Sequence, residues 1–208
     1  LHSLRRRQRQ MCIRDSILSI GSSEEYGNIN TSDIPLKETS RLDPLSPYAV
    51  ARVSQEMLSR LYANSYNLDI VMTRSFNHIG PGQSDVFVVS SFVRRVLEAK
   101  LNGEHNIELS VGNIDIVRDF LDVRDVVRAY YKLLHRGKKG EVYNVCSGRA
   151  VRLSEVITVI ANLLEIEVVP LIDKKLIRPN DNMLIVGDNS KLCKDTDWYP
   201  KYLSLIHI

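Results

Sequence analysis

Two apolar periodicities alternate along this chain, and that alternation constrains its fold more than any other feature. Short apolar runs at 17–20, 69–73, 107–111, 119–121, 141–145 and 167–171 have the length and bounding residues of strands. Between them, 46–66, 88–102, 123–135 and 154–164 repeat their apolar residues at helical spacing, and 190–195 suggests one more short helix. Strands alternating with helices predict a layered α/β fold around a mainly parallel sheet. Ser46 followed by Pro47 supplies an N-cap and a first-turn proline for the helix at 46–66, and Ser154 is the expected cap of the helix at 154–164. In the helix at 46–66, Val50, Val53, Met57, Leu61 and Tyr62 are spaced to form one apolar face.

Composition fits such a fold: of 208 residues, 44% are apolar and 25% charged, enough for a real core. The net charge of +3 is unevenly spread, because residues 1–16 carry +4 and the other 192 about −1. The basic stretch has no helical or strand period and no aromatic interleaving, so it reads as a non-native leader, not a nucleic-acid-binding arm. Residues 203–208 read as a non-native tail by the same reasoning, leaving 17–202 as the folded body. Cys12, Cys146 and Cys193 are too widely spaced for a metal site and suit reduced thiols in a cytoplasmic protein. No apolar run approaches the ~20 residues that cross a bilayer.

Chemistry concentrates where strands are expected to end. The run 17–20 delivers Gly21, Ser22 and Ser23 at its carboxyl end, where open α/β sheets bind ligands. Tyr48 and Arg52 lie four residues apart on the following helix and project from one face. A cation beside a phenol favours its phenolate form, which suits an acid/base role. After the strand at 69–73, residues 74–82 read as a loop carrying Phe76, Asn77 and His78.

Taken in order, SSEEYG, SPYAVAR, RSFNHIGPGQ, VGNIDIVRDFLDVRDVVRAYY and GEVYNVCSG resemble the extended short-chain dehydrogenase/reductase family, in its branch acting on GDP-sugars. The resemblance implies a Rossmann-type doubly wound parallel sheet with a small α/β substrate-binding region, and NADP(H), with NAD(H) possible, as cofactor. It implies reduction of the 4-keto group of GDP-4-keto-6-deoxymannose, with dehydration of GDP-mannose, or the reaction of another nucleotide-sugar epimerase or dehydratase, as the alternative. Carried over by position, Ser22 matches the hydroxyl that hydrogen-bonds the substrate oxygen, and Tyr48 matches the acid/base. Glu24 falls where dehydratases keep a catalytic carboxylate, and a solvated loop glutamate explains it equally well. Tyr48, Arg52, Phe76 and His78 correspond to cofactor-contacting positions. Ser23, Asn77, Arg118, Arg178 and Asp181 correspond to substrate-binding ones, the arginines suiting a pyrophosphate. For Arg118 the alternative is an ion pair with Asp119, Asp122 or Asp125. The family also forms homodimers through the helix that bears the tyrosine; Val53, Met57, Leu58 and Leu61 suit such a face, and core packing explains them as well.

Two departures from the family pattern stand out. The lysine expected four residues after the tyrosine is Arg52, and no GxxGxxG or GxGxxG turn occurs anywhere in the chain. The expectation is therefore a sheet lacking its amino-terminal, cofactor-binding half, with an unpaired edge and poor cofactor binding. A non-catalytic remnant that still binds nucleotide sugar is the reading from another functional class.

Overall fold

The computed structural model describes residues 16–177 and 182–202. The readings of a leader and a tail, and of Arg178, Asp181 and Cys12, therefore fall almost wholly or wholly outside the described residues.

Strand β1 (Ile17–Ser22) leads through a long polar connection with two 3-10 turns, Ser23–Tyr26 and Thr31–Asp33, to helix α1 (Pro47–Ser65), then β2 (Ile70–Ser75) and β3 (Asn77–Ile79). Helix α2 (Val88–Leu101), β4 (Asn106–Val111), β5 (Val117–Arg118) and β6 (Phe120–Asp122) precede helix α3 (Val123–Arg136). The chain continues through β7 (Val142–Val145), β8 (Val151–Arg152), α4 (Leu153–Leu164), β9 (Glu167–Ile172), β10 (Leu184–Ile185) and α5 (Ser190–Thr196).

The sheet that matters for function has the order β1-β2-β7 and is parallel throughout. Every residue of its central strand is buried, and the two faces divide by alternation. Val71 packs into the cluster that also holds Val126, Ala129 and Leu133 of α3, while Ile70 and Met72 meet Ala63 of α1. Helices thus cover both faces, as the doubly wound expectation requires. A second core joins α2 and α4 over the parallel pair β4–β9, centred on Phe92, Val96, Leu109, Val156 and Ile160.

Several local expectations change. The stretch read as a loop at 74–82 begins inside β2 and continues as β3, which pairs in parallel with β6. Helix α4 starts at Leu153 without a side-chain cap, so Ser154 lies inside its first turn. Strands β5, β8 and β10 form a small mixed sheet that no sequence period announces.

The largest change concerns α1. Its buried residues are Ala49, Glu56 and Ala63, while Val50, Met57, Leu58, Leu61 and Tyr62 are exposed, Met57 at 64%. Core packing therefore does not account for the apolar face within this chain. The reason is the chemistry of what α1 covers: Gln55 Nε2 and Ser59 Oγ bond Ser19 Oγ (3.0 and 2.9 Å), and Glu56 meets Arg74. The helix turns polar and small residues to the upper sheet and leaves its larger apolar ones outward.

On its outer edge, β1 has no paired strand among the described residues. The Ile20 carbonyl there accepts from Arg52 Nη1 (3.2 Å) and Gln55 Nε2 (3.1 Å).

Candidate active site

The carboxyl ends of β1 and β2 lie side by side, with Ser22 registered against Ser75 and Ser75 against Val145 of β7. Beyond Ser75 the chain passes directly into Phe76, Asn77 and His78, so two adjacent strands bring the two sequence motifs together.

Ser22 is the N-cap of the 3-10 turn Ser23–Tyr26, and its Oγ accepts the Glu24 backbone N–H (3.2 Å). A hydroxyl used as an acceptor in this way keeps its own hydrogen to donate to another oxygen. Its backbone N–H donates in turn to Glu25 Oε1 (2.8 Å), completing a capping box. Ser23 is buried beneath the turn, and Glu24 is exposed on it.

Tyr48 sits in the first turn of α1, which the proline at its start and the Ser46 Oγ cap (3.1 Å to the Ala49 nitrogen) hold in place. The residue is 48% exposed, and the Arg52 guanidinium lies over its ring, 5.0 Å from the centroid. Arg52 also reaches the Ile20 carbonyl, two residues before Ser22, and Gln55 Oε1 (2.8 Å). Arg52 is thereby the physical link between Tyr48 and β1. Tyr26 provides a contrast: it is buried, donates to Asn144 Oδ1 (2.6 Å), and burial pushes its phenol up to about 12. Of these two tyrosines, only Tyr48 is open to a ligand.

Phe76 is buried against Tyr26, with ring centroids 6.2 Å apart, so only its backbone is available to a cofactor. Asn77 and His78 are exposed. His78 Nδ1 lies 3.2 Å from the Phe76 carbonyl, which can only accept, so this nitrogen carries the proton and a ligand meets the Nε2 side.

Arg118 is buried and donates to the carbonyls of Val117 (3.0 Å) and Asn182 (2.7 Å). Asp119 is committed elsewhere, to the backbone N–H groups of Ser147 (2.8 Å) and Gly148 (2.9 Å); Asp125 takes Arg128 and the N–H groups of Lys201 and Tyr202.

Four residues that sequence reasoning passed over organise this site. Asn182 donates to the Gly27 carbonyl (2.7 Å) and accepts from the Ile29 nitrogen (3.4 Å), tying the Arg118 region to the turn after Ser22. Arg74 bonds Glu56 at two points (2.8 and 2.9 Å) and faces Glu25 at 3.9 Å, a buried charge cluster directly under Ser22. The Ser22-x-x-Glu25 spacing is a capping-box signature and was the available signal for Glu25. Nothing local announces the other three, whose partners are distant in sequence.

The donor set at the strand ends suits the nicotinamide-ribose end of a dinucleotide: an exposed phenol, a guanidinium and an imidazole beside a strand terminus. No group of His, Cys, Asp and Glu among the described residues has the arrangement of a metal site, and no helix among them is long and apolar enough to cross a membrane.

The chain is 36% identical over 186 residues to GDP-6-deoxy-D-mannose reductase of Pseudomonas aeruginosa, covering 89% of this chain and 61% of that protein. It is 28% identical over 197 residues to dTDP-glucose 4,6-dehydratase 1 of Escherichia coli, covering 88% of this chain and 53% of the relative. Among solved structures it superposes on RMD from Pseudomonas aeruginosa complexed with NADPH with a TM-score of 0.86 at 35% identity, spanning 92% of this chain and 64% of the other. The chain thus spans roughly three-fifths of the length of the reductase it matches. Matched over residues 2–204 by the model of GDP-mannose 4,6 dehydratase, the chain belongs to that family.

Proposed function

We propose that the protein containing this chain reduces the 4-keto group of GDP-4-keto-6-deoxymannose with NADPH, giving GDP-rhamnose. The observation that carries this reading is the pairing of Ser22, whose hydroxyl hydrogen is left to donate, with the exposed Tyr48 and its stacked Arg52 on the neighbouring helix. The 36% identity to a GDP-6-deoxy-D-mannose reductase supports the substrate class.

On this reading NADPH supplies the hydride. Tyr48, Arg52 and His78 hold its nicotinamide-ribose end, with the Phe76 backbone alongside, and NAD(H) is the second candidate. Ser22 donates a hydrogen bond to the substrate's keto oxygen, and Tyr48 delivers the proton that this oxygen needs as it becomes a hydroxyl. Ser23 and Asn77 contact the sugar. Arg118, with Arg178 and Asp181 from the neighbouring segment, takes the nucleotide diphosphate. Two such proteins pair through the exposed apolar face of α1, where Met57, Leu58 and Leu61 are large, apolar and uncovered. We place the protein in the cytoplasm, with no nucleic-acid or membrane partner.

A dehydratase activity on GDP-mannose is the second reading, favoured by the exposed carboxylate of Glu24 beside Ser22. The full-length protein distinguishes the two. Oxidation of NADPH dependent on the keto sugar, with GDP-rhamnose formed, is the expected result; conversion of GDP-mannose without external reductant assigns the dehydratase and overturns the reductase.

A further inference from the structure

Directly below Ser22 lies a carboxyl group to which the proposed reaction assigns no role. Glu25 has no solvent exposure, and one of its oxygens, Oε1, accepts the Ser22 backbone N–H (2.8 Å). The other, Oε2, is the one buried side-chain polar atom without a hydrogen bond among the described residues. It faces Arg74 Nε at 3.9 Å, but that guanidinium is already bonded twice to Glu56 and once to the Glu38 carbonyl (3.1 Å). Two carboxylates therefore compete for one cation, and Glu25 is the one left short. Native interiors pair such atoms as a rule, so an orphan beside a reacting group calls for an explanation.

We propose that Glu25 is the positioning residue of the active-site hydroxyl, holding Ser22 through its backbone and changing the strength of that hold with the charge on its own carboxyl. The proposal rests on the reading of Ser22 as the group that meets the substrate oxygen.

As a carboxylate, Glu25 receives a charge-assisted bond from the Ser22 N–H and holds the cap firmly; protonated at Oε2, it is a neutral and weaker acceptor. Burial raises its carboxyl to about 7, aided by the negative charge of Glu56, while the Ser22 N–H and Arg74 act in the opposite direction. The charged and titratable groups around it are Arg74 from β2, Glu56 from α1 with Arg60 on its outer side (3.0 Å), Tyr26 on the same turn and Glu38 from the connection before α1. Arg74 stays cationic across the neutral range because the Glu56 carboxylate bonded to it outweighs burial, which acts the other way, and Tyr26 stays neutral because burial outweighs the neighbouring Arg74 charge. Among these groups Glu25 is the one that sits against the Ser22 backbone N–H and that burial raises to about 7.

The test uses the full-length protein, labelled with 15N at serine. The Ser22 amide resonance is expected to titrate with a midpoint near 7, and infrared difference spectra over the same range to show the loss of a protonated carboxyl band. Both changes vanish in Glu25→Gln and persist in Glu25→Asp, which keeps the titrating group. With the keto sugar and NADPH, kcat is expected to be about tenfold higher at pH 8 than at pH 6 in the unmodified protein, and flat in Glu25→Gln. A Ser22 amide insensitive to pH in the unmodified protein overturns the proposal whether or not any variant folds. So does a Glu25→Gln profile identical to that of the unmodified protein. Absence of turnover with the amide titration intact overturns the reductase reading instead, and leaves the hold of Glu25 on Ser22 standing.

Discussion

Arg74 of β2 and Glu56 of α1 form a two-point ion pair, Nε to Oε2 at 2.8 Å and Nη2 to Oε1 at 2.9 Å, with both side chains almost wholly buried. This pair joins the helix bearing Tyr48 to the strand registered against Ser22, and with the bonds of Arg52, Gln55 and Ser59 to β1 it holds the two halves of the candidate site together.

Removing one member leaves the other charged and desolvated. Glu56→Gln is expected to destabilise the protein by about 3–5 kcal/mol. Arg74→Met combined with Glu56→Gln should cost less than the two single changes added, since neither residual charge is then stranded. Denaturant unfolding of the four members of the cycle provides the check.

Glu25 gives stability a pH dependence of known sign. Its folded-state carboxyl titrates near 7, above its ordinary 4.5, so the folded protein binds more protons than the unfolded chain between those values. Its contribution to stability is therefore greatest below about pH 4.5 and declines as pH rises to about 7, by about 3 kcal/mol at most. Melting temperatures between pH 5 and 8 should show this decline in the unmodified protein and a flatter course in Glu25→Gln.

Gly21 precedes Ser22, and a methyl group there would stand 2.3 Å from Glu25 Oε1 and 2.5 Å from the Thr73 carbonyl oxygen. Neither neighbour can yield without parting β1 from β2 or breaking the hold on Ser22. Gly21→Ala is expected to cost about 1–3 kcal/mol in unfolding experiments. Where the protein still folds, it should lower kcat more than it raises KM.

Tyr48 and Arg52 can be tested separately in the full-length protein. Tyr48→Phe removes the proton donor and should lower kcat about 10²–10⁴-fold while leaving nucleotide-sugar binding by calorimetry intact. Arg52 spends Nη1 on the Ile20 carbonyl and on Gln55, whereas a lysine is compact and carries three rotatable donors. Arg52→Lys is expected to raise kcat, and an unchanged or lower value would show that arginine already serves the position.

The uncovered face of α1 predicts a dimer. Sedimentation of the full-length protein should show two subunits, and Leu58→Glu with Leu61→Glu should yield monomers without loss of helicity. A monomeric unmodified protein would assign that face to another partner.

Much of this organisation was legible in the chain before any coordinates. The cap Ser46, the first-turn Pro47 and the periods of α2 and α3 are local signals, and the helices begin and end within a residue or two of where those signals place them. Ser22 and Tyr48 were legible because a strand end and a helix start carry them, and those are short-range features. Ser154 misled because a serine near a helix start is a cap only when the backbone leaves the helix there, and Leu153 is already helical.

The sequence by itself determined the α/β layering, the parallel sheet and the placing of a hydroxyl and an imidazole at strand ends and of a phenol at a helix start, because periodicity and caps act over a few residues. Tertiary structure alone decided which face of α1 is buried, since that depends on the polar surface which Ser19 and Arg74 present to it. It alone paired β3 with β6, elements too short to register a period and separated by the whole of α2 and β4. It also gathered Glu25, Glu56 and Arg74 beneath Ser22, where loss of water turns three ordinary surface residue types into a cluster whose charges depend on one another. Desolvation is a property of the packed assembly, and no stretch of residues read in order contains it.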